Sequence, residues 1–236
     1  MDAAPLTFDR ARVDGAAWLV GIDEAGRGAL AGPVAAAAVA VRAEVLHGDA
    51  LNELAAVARD SKTLPADVRE SVFAAIGTAA GAGVLRFAPG EASVAEIETA
   101  NILGATKLAM ARAVAGLGEG PAVPGAADAA GPLFDAVAPP PARLLVDGLP
   151  LKNFPYRHEA VVKGDARSLV IALASIVAKV TRDRLMRELA PRYPAYGFDR
   201  HVGYGTAAHR AALRQHGRSP VHRVRFLRKV LPAGDQ

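Results

Sequence analysis

Two short apolar runs near the N-terminus define the first predicted elements. Residues 18–23 and 33–41 are largely apolar, and a glycine-rich turn separates them. Runs of this length between glycine and proline are typical of buried strands. The alanines of the second run favour a helix, but the Gly32-Pro33 pair favours a turn that leads into a strand. The pattern therefore predicts a hairpin.

Three later apolar runs predict further strands. They are GVLRFA, ARLLVDG and HEAVVKGD, at residues 83–88, 142–148 and 158–165. Each is short and carries the small or polar residues that end a strand. Together with the hairpin, they predict a sheet.

Helices are expected between and after these strands. Apolar residues with helical spacing occupy residues 99–118, where Gly118 is placed as the C-terminal cap. An amphipathic helix is expected after DSKTL, a long helix at residues 168–189, and shorter helices from Thr206 onward. Strands interleaved with helices predict an α/β fold.

Two segments of the chain differ in composition from the rest. Of the 25 residues from Gly118 to Ala142, 18 are Pro, Gly or Ala, which predicts a surface loop. Residues 182–229 contain 12 Lys or Arg and 3 Asp or Glu, so most of the basic charge lies near the C-terminus. We expect one domain at residues 16–190 and a basic helical segment at residues 191–236 packed on it. Clustered basic residues favour a polyanionic partner, although a solvated helix face would have the same composition.

The types of residue present narrow the functions further. The sequence has no Cys, which excludes disulfides and thiolate metal sites. The longest apolar stretch, residues 29–41, is shorter than a membrane helix and contains Gly32 and Pro33. The N-terminus lacks the pattern of a signal peptide. We expect a cytoplasmic, monomeric protein without a membrane span.

Acidic residues end several of the predicted strands. They are Asp23 and Glu24 in GIDE, Asp147 in LLVDG and Asp165 in VVKGD. Neighbouring strands would bring these carboxylates together, and such a cluster requires cations to neutralise it. Oxygen ligands without Cys or paired His select Mg²⁺ or Mn²⁺. The pattern therefore indicates a metal site for phosphate chemistry.

Asp183 is an alternative to Asp165 as the fourth acid. Ser175, Lys179 and Asp183 are spaced by four residues and share one helical face, where Lys179 can pair with Asp183. We favour Asp165 as the ligand and Asp183 as a supporting group.

Residues 26–31 also match the G-x-G-x-x-[GA] dinucleotide fingerprint. That motif requires a helix that begins at its glycines, whereas this chain continues into Gly32-Pro33 and an extended run. The same glycines could instead let backbone N–H groups approach a sugar and a phosphate.

Six segments in order resemble the ribonuclease HII family. They are GIDEAGRGALAGPVAAAAV, DSKTL, NILGATKLAMARAV, LLVDG, AVVKGDARSLVIALASIVAKVTRDRLM and YPAYGFDRHVGYGTAAH. The resemblance implies an RNase H-like mixed sheet flanked by helices. It also implies two-metal hydrolysis of RNA in RNA–DNA hybrids and cutting 5′ of ribonucleotides in duplex DNA, leaving 3′-hydroxyl and 5′-phosphate ends.

The resemblance also assigns roles to residues. The family's four acidic positions fall on Asp23, Glu24, Asp147 and Asp165. Its Gly-Arg-Gly element, which contacts the ribose 2′-hydroxyl, falls on Gly26, Arg27 and Gly28, and its sugar-stacking tyrosine falls on Tyr204. Ala29 stands where the family usually has Pro.

Four basic side chains are candidate phosphate contacts: Lys62, Lys163, Arg167 and Lys179. Isolated basic residues are more often simply exposed. Two other functions stay open at this point. A non-catalytic nucleic-acid binder would not require clustered acids, and a nicotinamide oxidoreductase would require a helix at residues 26–31.

Overall fold

A computed structural model describes residues 4–13, 15–58, 64–125, 142–228 and 230. Its central feature is a five-stranded sheet. The strands are β1 (Trp18–Ala25), β2 (Val34–Arg42), β3 (Arg86–Ala92), β4 (Ala142–Asp147) and β5 (Glu159–Val161). Their spatial order is β3-β2-β1-β4-β5.

The first two strands form the predicted hairpin. Antiparallel pairing places Trp18 opposite Arg42 and Ala25 opposite Ala35. On its other side β1 pairs in parallel with β4, so that Ile22 lies opposite Val146. The following residues of these strands, Asp23 and Asp147, therefore lie at the same edge of the sheet.

Ten α-helices surround the sheet in the part of the chain that is described. The longest are α4 (Ala66–Gly81), α5 (Val94–Gly116), α7 (Leu169–Leu189) and α9 (Ala207–His216). The shorter ones are α1 (Ala4–Arg12), α2 (Ala43–His47), α3 (Asn52–Val57), α6 (Gly164–Arg167), α8 (Phe198–His201) and α10 (Val224–Leu227). This mixed architecture confirms the predicted fold class, and none of its helices has the length and hydropathy of a membrane span.

The alternating side chains of β2 supply two cores. Ala37, Val39 and Val41 point to the side covered by α7, whereas alternate residues such as Ala38 point to the side covered by α5. Strands buried on both faces read as continuous apolar runs, which explains why β2 consists almost only of Ala and Val.

A third core joins the C-terminal segment to the rest of the protein. Leu30 and Ala31 of the glycine-rich turn and Met186 of α7 pack against the aromatic side chain of Phe198, and against Leu213 and Leu227. The expected division at residues 190 and 191 stays a prediction, but the C-terminal segment shares this buried core with the glycine-rich turn.

Several predicted boundaries differ from the structure. The third strand begins at Arg86, three residues later than predicted. The helix predicted at residues 99–118 begins at Val94, where Ser93 and Glu96 form a capping box, and it contains a break at Asn101 with φ 59°. Most of the predicted surface loop, residues 126–141, lies outside the described residues.

The prediction that a strand reaches Asp165 was wrong. β5 has only three residues, Lys163 adopts the left-handed conformation with φ 55°, and α6 begins at Gly164. The N–H of Gly164 donates to Asp147 Oδ1 at 2.6 Å. At this point the backbone therefore bonds to a side chain instead of to a neighbouring strand, and the sheet ends.

Gly21 in β1 should be required for the packing of α7 on the sheet. A Cβ at this position would overlap the backbone of Val170 and Ile171. We expect Gly21→Ala to destabilise the protein by about 1–3 kcal/mol, because the helix must move away from the strand. Thermal or denaturant unfolding measures the change.

Gly77→Ala is the matched control for this substitution. Gly77 is exposed on α4, and its added Cβ would have no neighbour within 4 Å. Alanine favours a helix over glycine by about 1 kcal/mol, so this variant should be at least as stable as the parent. Equal stability of the two variants would contradict the packing role of Gly21.

Candidate active site

A cavity of about 320 Å³ opens at the edge of the sheet where β1 and β4 end. Most of the side chains predicted to act together contribute to it. Its lining residues are Asp23, Glu24, Ala25, Gly26, Arg27, Gly28, Arg69, Asp147, Ser175, Lys179 and Tyr204. The lining contains carboxylates, cations and an aromatic ring, which are the groups needed to hold a metal ion, a phosphate and a sugar.

Two carboxylates are held by the backbone at this edge. Asp23 is 1% exposed, and its Oδ1 accepts a hydrogen bond from the N–H of Glu24 at 2.7 Å. Asp147 Oδ1 accepts the bond from Gly164 N–H. Backbone donors fix these carboxylates without neutralising them, which leaves negative charge for a cation.

The donor set fits a hard cation. Asp23, Glu24 and Asp147 line the cavity, and no imidazole does so among the described residues. Within the same ranges no group of three or more acidic or histidine side chains could hold a metal ion. Mg²⁺ is commonly bound by one or two carboxylates together with water and substrate phosphate, so the pair at the sheet edge fits such an ion.

Asp165 lies apart from this lining. It occupies the first turn of α6 and contributes to another cavity, with Pro5, Ala55 and Leu169 among its walls. The structure connects Asp165 to Asp147 through the backbone of the preceding residue, Gly164.

Asp183 is buried and paired with two cations. Lys179 Nζ donates to its Oδ1 at 2.8 Å, which confirms the predicted pair on one helical face. An Arg69 nitrogen lies 3.7 Å from its Oδ2. Such pairing fits a role in holding Lys179 and Arg69 in place.

The sequence did not identify Arg69 as a residue of the cavity. Its side chain is almost fully buried, and its guanidinium donates to the carbonyl of Leu64 at 2.7 Å. A weak signal was present, because Arg69 falls on the buried face of α4 with Val72 and Ile76, where a charged residue requires a partner.

The glycine-rich turn combines one constrained and one open position. Gly26 has φ +89°, and a Cβ there would overlap the guanidinium of Arg182. Gly28 has no neighbour within 4 Å of its would-be Cβ, so this position is open. Between them, Arg27 donates to Glu24 Oε1 at 3.0 Å and stays half exposed.

Two buried arginines hold this turn through hydrogen bonds to its carbonyl groups. Arg182 donates to the carbonyls of Pro33, Ala31 and Val202 at 2.9–3.1 Å. Arg223 donates to four carbonyls of the turn at 2.8–3.1 Å. Burial is the main cause that lowers the pKa of Arg182 and lowers that of Arg223 to about 9, with a contribution from Arg182 to the latter. Both stay protonated at neutral pH.

Tyr204 completes the cavity on the side of the C-terminal segment. Its ring centre lies 5.5 Å from Lys179 Nζ and 5.3 Å from Arg182 Cζ. The ring is partly exposed. A backbone bond from Leu30 N–H to the carbonyl of Gly203 links this segment to the glycine-rich turn.

The remaining predicted contacts lie elsewhere. Lys163 is exposed and outside the cavity lining. The guanidinium of Arg167 lies 5.0 Å from the ring centre of Phe8, also outside the lining. Lys62 lies outside the described residues. The turn at residues 26–31 leads into β2 and opens no helix, which removes the dinucleotide alternative.

Comparison with known proteins gives a consistent result. The profile of the family described as Ribonuclease HII matches residues 20–229. A ribonuclease HII of Geobacillus kaustophilus is 45% identical over 224 residues, which cover 92% of this chain and 72% of the relative. One of Thermosynechococcus vestitus is 43% identical over 235 residues, 99% of this chain and 95% of the relative.

A solved structure shares the fold. It is the ribonuclease HII of Archaeoglobus fulgidus in its complex with PCNA. The likeness has a TM-score of 0.65 at 23% identity and covers 92% of this chain and 97% of that one.

Proposed function

The chain belongs to the ribonuclease HII family, and from this premise we propose that it also cuts duplex DNA on the 5′ side of embedded ribonucleotides. As a member it is a ribonuclease H, a metal-dependent endonuclease that hydrolyses the RNA strand of RNA–DNA hybrids. The observation that carries the proposal is that Asp23 and Asp147, at the ends of the paired strands β1 and β4, line one cavity together with the glycine-rich turn and Tyr204.

We propose Asp23, Glu24, Asp147 and Asp165 as the ligands of Mg²⁺ or Mn²⁺. Two such ions held by these carboxylates would supply the Lewis acidity that activates a water and offsets the charge on the scissile phosphate, and hydrolysis would leave 3′-hydroxyl and 5′-phosphate ends. Asp23 and Asp147 are oriented by backbone donors, and Asp165 follows Gly164, the donor to Asp147.

Substrate recognition is assigned to the glycine-rich turn and Tyr204. The open position at Gly28 lets the backbone approach a ribose, whose 2′-hydroxyl is the group that distinguishes RNA from DNA. Gly26 offers its backbone to the same ribose, and Arg182 holds the turn that contains Gly26 through hydrogen bonds to its carbonyls. Arg27, oriented by Glu24 and half exposed, contacts phosphate. Tyr204 stacks on the sugar next to the scissile phosphate.

Basic side chains extend this surface. Lys179 lines the cavity and carries one of the charges that attract phosphate. Lys163 and Arg167 are proposed to contact the substrate beyond the cavity, and the proposal for Lys62 rests on the sequence alone. The C-terminal segment adds exposed arginines, among them Arg214 on α9 and Arg218 just after that helix.

A duplex with a single ribonucleotide tests the function directly. Incubation with and without Mg²⁺, followed by a denaturing gel, reports the substrate, the metal requirement and the position of the cut. We expect one Mg²⁺-dependent cut 5′ of the ribonucleotide. Cleavage of long hybrids alone would leave the family activity intact and refute the proposal for embedded ribonucleotides.

Asp147→Asn should reduce turnover by orders of magnitude and leave the protein folded. The substitution removes charge from the proposed metal site and can raise stability, because it relieves repulsion between carboxylates. Turnover at saturating substrate and thermal unfolding measure the two effects. A folded Asp147→Asn variant with normal turnover would refute the ligand assignment.

Asp165→Asn and Asp183→Asn distinguish the two candidates for the fourth acid. Asp183 is already paired with Lys179 and Arg69, so its substitution should affect turnover less than that of Asp165. The opposite order would transfer the ligand role to Asp183. The comparison requires that both variants melt within a few degrees of the parent.

Tyr204→Ala should impair cutting at an RNA–DNA junction more than cutting within a long hybrid. A deoxyribose next to the ribonucleotide presents a less hindered face to the ring than a ribose does. The loss should be on the order of 1–3 kcal/mol, by analogy with aromatic stacking on bases. Tyr204→Phe, which keeps the ring, is the control and should retain most of the activity. Equal losses of Tyr204→Ala on both substrates would make Tyr204 a packing residue.

The exposed arginines of the C-terminal segment should set the salt dependence of duplex binding. The double substitution of Arg214 and Arg218 by Gln should weaken binding and lower the slope of log affinity against log salt by about 0.9 for each phosphate that is no longer neutralised. The control is the double substitution of Arg184 and Arg187, which removes the same charge from arginines paired with Glu70. Equal slopes in the two double variants would show that Arg214 and Arg218 face only solvent.

A further inference from the structure

Two buried histidines lie directly behind Tyr204. His209, on α9, is 0% exposed, and His222, before α10, is 1% exposed. Their Nε2 atoms are 3.0 Å apart. The pair is enclosed by aromatic rings, with Phe198 at 5.6 Å from both imidazoles and Tyr196 at 4.7 Å from His222. Neither histidine lines the cavity, so the pair acts on the site only through other residues.

The hydrogen bonds around the pair determine where each proton lies. The N–H of Ser219 donates to Nδ1 of His222 at 2.9 Å, so this nitrogen is an acceptor. A neutral His222 then carries its proton on Nε2 and donates it to Nε2 of His209. The proton of a neutral His209 is therefore on Nδ1, which donates to the carbonyl of Tyr204 at 2.9 Å.

The pair also lies where a neutral state is favoured. Burial, followed by the neighbouring His209, lowers the pKa of His222 to about 4, and burial lowers the pKa of His209. The titratable groups that contact the pair are His201, whose ring is stacked on His209 at 4.4 Å, and Tyr196, whose ring lies beside His222. Within the described residues, no carboxylate is among the causes of these two pKa shifts.

The chain of bonds ends on a residue of the proposed substrate site. The Tyr204 carbonyl also accepts the N–H of Thr206, and the N–H of Tyr204 donates to the carbonyl of His201. The preceding residue, Gly203, donates its N–H to His201 Nδ1 at 3.2 Å. The His209 imidazole therefore binds the peptide group after the Tyr204 Cα, and the backbone carbonyl of His201 binds the peptide group before it, so the backbone that carries the ring is held on both sides.

We propose that His209 is a positioning residue for Tyr204, and that His222 fixes the tautomer of His209 that this role requires. The proposal rests on the function assigned above to Tyr204 and deepens it. It assigns to the C-terminal segment a part in recognising RNA–DNA junctions that is separate from its charge. Removal of the His209 Nδ1 donor should let the peptide of Tyr204 rotate and should turn the ring away from the sugar.

A pair of substitutions at His209 isolates this donor. In His209→Asn the amide nitrogen takes the place of Nδ1, so the bond to Tyr204 can persist while the bond to His222 is broken. In His209→Gln the amide reaches the place of Nε2, so the bond to His222 can persist while the bond to Tyr204 is broken. Each of the two variants loses one buried hydrogen bond. If His209 served only stability, both variants should therefore lose the same amount of melting temperature and the same amount of activity.

We expect His209→Gln to lower kcat/KM on a duplex with a single ribonucleotide at least about fivefold more than His209→Asn does, which is the scale of one buried hydrogen bond. On a long RNA–DNA hybrid the two variants should differ less. Melting temperatures of both variants are measured in parallel. Equal losses of junction cutting in the two variants, or a difference that is the same on both substrates, would overturn the proposal.

A double variant separates this proposal from the role of Tyr204 itself. If His209 acts through Tyr204, His209→Gln combined with Tyr204→Ala should cut the junction no more slowly than Tyr204→Ala alone. Multiplied losses in the double variant would overturn the positioning role and leave the stacking role of Tyr204 intact. A Tyr204→Ala variant with normal junction cutting would instead refute the stacking role and the positioning role together.

Discussion

The site depends on two buried guanidiniums that bind carbonyl oxygens. Arg182 comes from α7 and Arg223 from the C-terminal segment, and both reach the turn between β1 and β2. Removing a cation from water is costly unless its donors are satisfied, and here most partners are peptide carbonyls of one turn. Because the carbonyls point inward to the arginines, the turn presents other parts of its backbone to the cavity. The same contacts fix the sheet edge, α7 and the C-terminal segment relative to one another.

The basic charge of the C-terminal segment therefore has two physical roles. Composition alone presents its arginines as equivalent, yet Arg223 is 0% exposed, whereas Arg214 and Arg218 are exposed. Only the exposed group can release counterions from a nucleic acid. The buried group, with Phe198 and Leu227, attaches the segment to the turn. Removing the whole segment would disturb the site itself, so its charge has to be tested by substituting exposed arginines.

Local patterns were sufficient for the parts of the fold that local physics controls. The β1–β2 hairpin, β4 and the long helix α7 were predicted because apolar runs and glycine turns act over a few residues. The approach of Asp23 to Asp147 also followed from acids at strand ends, whereas the parallel pairing of β1 with β4 that produces it was not predicted. The carbonyl partners of Arg223 could not be predicted, because they are about 190 residues away in sequence. Arg69 was missed for a similar reason, since its partner Asp183 lies on another helix.

The position of Asp165 shows how a distant element can affect a residue proposed for the site. α6 is joined to β4 by the bond between Gly164 and Asp147, and α7 follows it after Ser168. The start of α7 is held in turn by Asp9 of α1, a helix that the sequence did not predict, whose Oδ2 accepts the N–H of Val170 at 3.0 Å. Burial is the main cause that raises the pKa of Asp9 to about 7. The unfolded chain ionises this carboxyl above pH 3.8 while the folded protein keeps it protonated up to about 7, so the protein loses stability as the pH rises between these values, and the bonds from Ser168 and the backbone limit that loss. The N-terminal helix thus contributes, through α7 and α6, to the position of Asp165, the proposed fourth ligand, relative to Asp147.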